Sequence, residues 1–398
     1  MTAPRPSSRL TLATLAALAA LASPALAAPL QVSPGGGFYN SFGPSLSADG
    51  SRLAFYSASN PTGGNGDNSF EVFTYERGTA QTRQISNEPG GQFAGGNQTP
   101  SLSGDGSRLV YQHFEVSGGY AYFQTKSYDF ATNATTTLTP LGYAETSAIS
   151  HDGKTIAVGT GNLGLRLYDV TTQAFSGVLM GAPGAFAMSG DGKRIVYEAF
   201  SQGVRLYDVT TGTTTVISPP GSGYNQHPVL SADGKSLVFT SSYDPLGQNG
   251  DHNGELFRYD IASQTLTQLT HSAGGDASSA SVSGDGTRIV FSSAANLTSG
   301  NADGSTEVFV YDLLAGSFLQ ITDTLSAYSA SAVISEDGST VAYVSNMNFN
   351  GSNPYGAMQV FLDALPPQQD PGRLPEPSSM ALTCCALGLL STLRRRSR

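Results

Sequence analysis

The sequence predicts an all-β chain that folds as a seven-bladed β-propeller of four-stranded antiparallel blades. A Ser-x-Asp-Gly phrase occurs seven times, its aspartates lie 39 to 56 residues apart, and a short apolar run follows each copy. A period of about 40–50 residues that holds several strands is typical of propeller blades. The aspartates are Asp49, Asp105, Asp152, Asp191, Asp233, Asp285 and Asp337.

Each phrase predicts a hairpin between the first two strands of a blade. An Asp-Gly pair between apolar runs favours a type I′ turn, in which both residues have positive φ. The run that follows, such as Leu53-Ala54-Phe55, is apolar at consecutive positions, which indicates a strand buried on both faces. A third strand then ends in an aromatic-acid pair such as Tyr207-Asp208, and a fourth strand rich in Thr, Val and Ile follows.

The two ends of the repeat region predict how the ring closes. The seventh repeat stops after its third strand, because Ala364-Leu365-Pro366-Pro367 cannot continue a β-ladder. Leu30-Gln31-Val32-Ser33 resembles Leu319-Gln320-Ile321-Thr322, the fourth strand of the sixth repeat. We therefore expect an N-terminal strand at about residues 30–33 to complete the last blade, which removes an exposed sheet edge.

Together these motifs resemble a known family. The Ser-x-Asp-Gly phrase followed by a Tyr-Asp strand is similar to the TolB-type (WD40-like) propeller repeat over roughly residues 30–363, although Ala, Gly, His or Glu stands here where that repeat usually has Pro. The resemblance implies the fold. It implies no single function, because this fold occurs in translocation-associated proteins, lyases, peptidase accessory domains and binding proteins.

The N-terminus predicts export. Residues 1–28 read as a signal peptide, with basic Arg5 and Arg9, an apolar run from Leu10 to Leu21, and a cleavage site that ends at Ala27. The propeller is expected over residues 29–363, followed by a Pro-rich linker at 364–374.

Residues 375–398 form a second motif, composed of Pro375, Glu376 and Pro377, an apolar run and an arginine cluster. This pattern resembles the PEP-CTERM sorting signal, which implies processing by an exosortase-type enzyme after transient anchoring in the inner membrane. A simple tail anchor is the alternative, with the arginines on the cytoplasmic side. We therefore expect secretion to the periplasm, outer surface or extracellular matrix of a Gram-negative bacterium.

Charge and cysteine content exclude some functions. Removal of the six terminal arginines leaves 14 basic against 30 acidic residues, a net charge of −16, so we expect no binding to nucleic acid. The only two cysteines, Cys384 and Cys385, lie in the apolar tail. A disulfide framework or a thiolate metal site in the propeller is thereby excluded.

Long loops predict where a site would lie. In an up-and-down blade the loops between strands two and three share a face with the connections between blades, and we call this the loop face. On it, repeats 1, 5 and 6 carry an acid or amide, an Asp and a Glu at offsets 0, 7 and 11. Such oxygens suit calcium, although Asx turns that merely close the loops are the alternative. The predicted ligands are Asp67, Glu71, Asp251, Glu255, Asp303 and Glu307.

Aromatic and amide groups are also expected on the loop face, around the mouth of the central tunnel. They suit a carbohydrate or peptide ligand, and packing at blade junctions is the alternative. The predicted residues are Tyr39, Asn97, Gln98, Tyr143, Tyr224, Gln226, His227 and Tyr328. His227, His252 and His271 come from successive loops and raise the hypothesis of a divalent metal site.

The function favoured by the sequence is a non-enzymatic, exported binding module with a polysaccharide or protein ligand, and no catalytic residue is assigned. A polysaccharide-active enzyme such as a metal-assisted lyase is the first alternative. A periplasmic scaffold that binds proteins, as TolB-like proteins can, is the second.

Overall fold

The computed structural model describes residues 28–33, 37–88, 95–142, 145–161, 164–181, 183–199, 203–218 and 223–368. The predicted signal peptide up to Ala27, Tyr143, and the tail with Pro375, Glu376 and Pro377 lie outside these residues. Within the described part there is no helix, and therefore none long and apolar enough to cross a membrane.

Seven four-stranded antiparallel sheets make up the described structure, which confirms the predicted seven-bladed propeller. The strands of the first half are β1 (Leu30–Gln31), β2 (Ser41–Leu46), β3 (Arg52–Ser57), β4 (Glu71–Glu76), β5 (Gln81–Gln84), β6 (Gly95–Leu102), β7 (Arg108–Ser117), β8 (Tyr120–Asp129), β9 (Ala134–Thr137), β10 (Glu145–Ile149), β11 (Thr155–Thr160), β12 (Gly164–Asp169) and β13 (Ala174–Phe175). Blade 1 is β2–β5, blade 2 is β6–β9 and blade 3 is β10–β13.

The second half repeats the same pattern. Its strands are β14 (Phe186–Met188), β15 (Arg194–Ala199), β16 (Gly203–Asp208), β17 (Thr213–Val216), β18 (Asn225–Leu230), β19 (Ser236–Ser241), β20 (Glu255–Asp260), β21 (Thr265–Gln268), β22 (Ala277–Val282), β23 (Arg288–Ser293), β24 (Glu307–Asp312), β25 (Ser317–Gln320), β26 (Ser329–Ile334), β27 (Thr340–Ser345) and β28 (Gln359–Ala364). Blades 4, 5 and 6 are β14–β17, β18–β21 and β22–β25.

Blade 7 confirms the predicted ring closure. It consists of β26, β27 and β28 with β1 as its outermost strand. Leu30 pairs with Leu362, Gln31 pairs with Phe361, and the Val32 amide donates to the Val360 carbonyl at 2.9 Å. The N-terminal strand thus covers the edge of the last blade.

The first strands of all blades form the inner wall of the ring. Each contacts the first strand of both neighbouring blades, from β2 through β26 and back to β2. The apolar core is divided among the interfaces between blades. Every cluster of buried apolar residues in the described structure joins two adjacent blades. Blades 1, 5, 6 and 7 each add a stacked aromatic pair, such as Phe291 and Phe309 with centroids 5.8 Å apart.

The Asp-Gly turns have a different geometry from the predicted type I′ turn. Gly50 has φ of +63°, whereas Asp49 has no positive φ, and the same holds in all seven copies. The Gly50 amide donates to the Ser47 carbonyl and the Ser47 amide donates to the Arg52 carbonyl, so the loop holds four residues rather than two. A type I turn that ends on a left-handed glycine satisfies this geometry.

The side chains of Ser and Asp hold this turn together. The Ser47 hydroxyl donates to Asp49 at 2.8 Å and accepts from the Arg52 amide at 3.0 Å, while the Ser51 amide donates to Asp49. The Ser51 amide is also the main reason why the pKa of Asp49 is lowered. Because these bonds recur in the other six copies, the repeated aspartate is a structural residue of the turn.

The turns are joined around the axis by a closed ring of seven backbone hydrogen bonds, each 2.8–2.9 Å long. In every bond the residue between Ser and Asp supplies the accepting carbonyl. The accepting residues are, in ring order, Ala48, Gly104, His151, Gly190, Ala232, Gly284 and Glu336. In four blades that same residue also donates its own amide, which a proline could not do. This requirement explains why these four turns lack the usual Pro of the TolB-type phrase.

Candidate functional site

The inner wall carries a repeated irregularity on its loop-face half. The first strands of blades 1, 2, 5, 6 and 7 each contain a β-bulge. Each bulge has one residue at positive φ, and Pro or Ala follows it. The five residues are Gly43, Thr99, His227, Ser279 and Ser331. The signal that could have predicted these bulges is the Pro or Ala three residues before each Ser-x-Asp-Gly phrase.

The bulges of blades 1, 5, 6 and 7 border a cavity of about 360 Å³ in the tunnel. Its wall includes His227, Ser279 and Ser331, together with Gly43 of blade 1 and Phe186 of blade 4. Backbone of irregular strands and small side chains therefore form most of this wall. Strand bulges often occur next to binding sites because they redirect side chains.

The opposite end of the tunnel is crossed by a hydrogen-bonded pair of side chains. His151 of blade 3 and Glu336 of blade 7 approach to 2.8 Å, and a side chain at Gly104 of blade 2 would collide with both. Blades 3 and 7 lie on opposite sides of a seven-membered ring, so this pair spans the axis. The cavity therefore faces the loop side.

The predicted tunnel-mouth residues occupy different environments. His227 lines the cavity, and Gln226 beside it is exposed. Tyr224 instead points toward the junction of blades 5 and 6, where a Cβ on Gly254 would lie 2.5 Å from its hydroxyl. Burial, followed by the charges of Asp276 and Glu255, raises the pKa of Tyr224. His227 and Tyr224 therefore belong to two separate surfaces.

Four further predicted residues lie on the loop side. Asn97 is fully buried and donates its amide to Glu71 at 3.0 Å, so it is closed to a surface ligand. Gln98 is half-buried within β6, and the Tyr39 carbonyl accepts from Gln359 at 3.2 Å. Tyr328 is exposed between blades 6 and 7.

An exposed aromatic pair that the sequence did not single out lies at the junction of blades 7 and 1. Phe38 is 74% exposed and Tyr355 is 55% exposed, and their ring centroids are 4.4 Å apart. The backbone is held here by Asn40, which accepts from the Met358 amide at 2.9 Å. Exposed apolar groups that lie together, rather than singly, mark interaction sites.

Two of the predicted calcium loops are internally bonded. Glu71 is fully buried and accepts from Ser69, Ser86, Asn97 and the Glu88 amide. Burial raises the pKa of Glu71, although those hydrogen bonds oppose the shift.

Glu307 in blade 6 accepts equivalent bonds from Ser305, Thr322 and Thr324. Asp67 and Asp303 each accept from the serine two residues later. These contacts match the alternative in which the loops are closed by their own side chains.

The loop of blade 5 has fewer internal hydrogen bonds, and the three histidines lie apart. Among the described residues Glu255 accepts only from Ser272, which leaves its Oε2 unpartnered, and Asp251 is exposed. His271 lines a separate groove of about 590 Å³ between blades 5 and 6, away from His227. Across the described ranges no group of three or more His, Cys, Asp or Glu side chains is placed to hold a metal ion, so the three histidines do not form one site.

Comparison with known proteins agrees with the fold. Residues 182–360, which include blades 4 to 6 and the first two strands of blade 7, match the PD40 (TolB beta propeller domain) family. No curated protein sequence matches the chain.

Solved structures are similar at low sequence identity. An oligogalacturonate lyase in complex with manganese is 14% identical with a TM-score of 0.56, over 85% of this chain and 93% of that one. The β-propeller domain of the Trilobed protease from Pyrococcus furiosus is 12% identical with a TM-score of 0.59, over 85% and 100%. An oligogalacturonate lyase from Vibrio parahaemolyticus is 11% identical with a TM-score of 0.57, over 85% and 93%. At these identities the likeness concerns the fold alone, and the chain is a seven-bladed β-propeller whose residues 182–360 match the TolB propeller domain family.

Proposed function

We propose that this protein is an exported binding module that holds a neutral polymer, with polysaccharide as the first candidate, on the loop face of its propeller. The observation that carries the proposal is the exposed pair of Phe38 and Tyr355, whose ring planes are tilted by 41°. Aromatic rings that stay exposed on a rigid support lose little conformational freedom when a ligand covers them.

Two further features support this face as the binding surface. The tunnel cavity lies on the loop-face half of the inner wall, and Tyr328 is exposed on that face between blades 6 and 7. The net charge of −16 for residues 29–377 would repel acidic polymers, which favours a neutral ligand.

Export and surface location are part of the proposal and rest on the two terminal segments of the sequence. The signal peptide and the PEP-CTERM-like tail would deliver the propeller outside the cytoplasm, with an exosortase-type enzyme as the processing partner. Detection of a shortened C-terminus by mass spectrometry of the exported protein would support this part. An intact tail on the exported protein would contradict it.

Binding is tested by affinity electrophoresis of the purified protein through gels that contain neutral or acidic polysaccharides. We expect a neutral polysaccharide to slow the protein, and we expect Phe38→Ala and Tyr355→Ala to abolish the delay. Leu314→Ala is the control, because Leu314 is 45% exposed in the turn between β24 and β25, on the face opposite to the loop face.

Three outcomes would contradict this proposal. If no polysaccharide slows the protein, a protein ligand becomes the better hypothesis for the same face. If both aromatic variants bind as well as the unmodified protein, the exposed aromatic pair is not the binding surface. Release of unsaturated sugar products from any of the polysaccharides would identify an enzyme instead.

A further inference from the structure

The long loops of blades 1, 5 and 6 share one layout but differ at one central position. In blade 6 the Ser305 hydroxyl lies 3.2 Å from Asn301 Oδ1, 3.0 Å from Asp303 Oδ1 and 2.8 Å from Glu307 Oε1. Ser69 of blade 1 has the same surroundings, at 3.3, 2.9 and 2.9 Å from Asn65, Asp67 and Glu71. A serine hydroxyl thus occupies the point where the side-chain oxygens of each loop converge.

Blade 5 has Asn253 where the other two loops have serine. The Asn253 amide nitrogen donates to the carbonyl and hydroxyl of Ser272, at 3.0 and 2.8 Å, and the first of these bonds matches the one that the Ser305 hydroxyl donates to the Thr324 carbonyl. Unlike Ser305, which also donates to the side chains of its own loop, Asn253 donates to no side chain of its loop among the described residues. The side-chain oxygens of this loop therefore lack the donor that serine supplies in the other two.

Asn249 shows the consequence most clearly. Its Nδ2 donates to the Asn253 carbonyl at 3.0 Å, as Asn301 Nδ2 donates to the Ser305 carbonyl at 2.8 Å. This shared bond fixes the orientation of the amide, so Asn249 Oδ1 points toward the side chain of residue 253. Asn249 is 1% exposed, and its Oδ1 has no hydrogen-bond partner.

Three other side chains of the loop also retain unused oxygens. Asn253 Oδ1 is unpartnered, and so is Oε2 of Glu255, which is 1% exposed. Asp251 is exposed and makes no hydrogen bond or ion pair with the described residues, whereas Asp303 accepts from Ser305. Buried acceptors without a partner are rare in native structures and need an explanation such as a bound water or ion.

We propose that the blade 5 loop binds a calcium ion through Asn249, Asp251, Asn253 and Glu255, and that the loops of blades 1 and 6 do not. The four residues alternate along the loop and supply only oxygen, with two carboxylates to balance the charge. Such a donor set fits Ca²⁺ better than transition metals, and four protein oxygens fit it better than Mg²⁺, which usually keeps several waters and requires a near-ideal octahedron. In the other two loops a serine hydroxyl already donates to the equivalent oxygens.

The test is thermal melting of the purified, chelator-treated protein during titration with CaCl₂, with MgCl₂ as the comparison. We expect the melting temperature to rise with Ca²⁺, with a half-maximal effect at about 10⁻⁴–10⁻³ M, the range of extracellular calcium modules. Asp251→Asn should weaken this effect about tenfold or more, because one of two charged ligands is lost. Asp303→Asn, the matched change in blade 6, should leave it unchanged.

Asn253→Ser provides the decisive variant, since it gives blade 5 the closed loop of blades 1 and 6. It should lose the Ca²⁺ response and melt at a higher temperature than the unmodified protein in chelator, which separates loss of the site from misfolding. Absence of a Ca²⁺ effect on the unmodified protein would overturn the proposal. A response that persists in Asn253→Ser, or an equal loss in Asp303→Asn, would overturn it as well.

Discussion

His151 Nδ1 and Glu336 Oε2 lie 2.8 Å apart across the axis of the propeller, although 185 residues separate them in the chain. Their backbones belong to the closed ring of hydrogen bonds that joins the seven turns. The pair thus marks the end of the tunnel that is remote from the loop face. Both side chains are partly exposed, so the interaction between them is screened by solvent.

The first prediction concerns the energy of this hydrogen-bonded pair. His151→Ala and Glu336→Gln should each lower the free energy of unfolding by less than about 1 kcal/mol, because exposed pairs are screened by solvent. Arg288→Ala should cost more, since Arg288 is buried and bonds the Gly338 and Pro366 carbonyls as well as Asp312. Urea unfolding of the three variants gives the comparison. A larger loss for His151→Ala than for Arg288→Ala would contradict it.

The second prediction tests the backbone ring with a matched pair of prolines. Ala48 donates its amide to the Gly104 carbonyl at 2.8 Å, whereas at the equivalent position of blade 5 the Asp233 amide donates and Ala232 only accepts. Ala48→Pro should therefore lower the free energy of unfolding by about 1–3 kcal/mol. Ala232→Pro should change stability by less than about 1 kcal/mol, because proline suits the second position of a type I turn. Equal losses in urea unfolding would show that the ring bond contributes nothing.

The third prediction concerns pH. Burial raises the pKa of Asp363 to about 6, while the Tyr343 hydroxyl, which donates to it at 2.8 Å, acts in the opposite direction. The folded state thus holds this proton more tightly than the unfolded state, whose pKa is the ordinary 3.8. Stability from this group is present below about pH 4 and is lost as pH rises toward 6, by about 3 kcal/mol in total.

Asp363→Asn keeps an acceptor for Tyr343 and removes the titration. The variant should be more stable than the unmodified protein at pH 7, and the difference should shrink as pH falls to 4. Urea unfolding at several pH values measures both curves. Parallel curves would show that Asp363 does not titrate in this range.

The fourth prediction concerns the buried glutamate that links blade 1 to blade 2. Glu71→Ala should cost at least about 3 kcal/mol, because the donors of Ser86, Asn97 and the Glu88 amide would lose their acceptor in a buried site. Glu71→Gln should cost less, since it keeps an acceptor oxygen. Thermal melting is the measurement, with Glu76→Ala on the partly exposed end of the same strand as control. A loss for Glu71→Ala as small as that for Glu76→Ala would exclude this role.

Local sequence determined the blades and their order. In each turn the Ser hydroxyl, the Asp carboxylate and the amides that they bond lie within six residues, so recurrence of the phrase is enough to place seven hairpins. Ring closure by β1 was also predictable, because the last repeat lacks a strand and the N-terminus supplies one of matching pattern. The turn type was not, since it depends on the Ser47 amide pairing beyond the Asp-Gly unit.

Only the tertiary structure decided which polar groups have hydrogen-bond partners and which side chains face the solvent. Glu71, Glu255 and Glu307 stand at the same position of similar loops, yet Oε2 accepts from Ser86 in the first and from Thr322 in the last, whereas Oε2 of Glu255 has no partner among the described residues. Asn97 proved to be buried, and Phe38 meets Tyr355 across the closure of the ring. Such outcomes depend on contacts between residues from different loops, strands and blades, whereas a repeat pattern reports only what each blade has in common with the next.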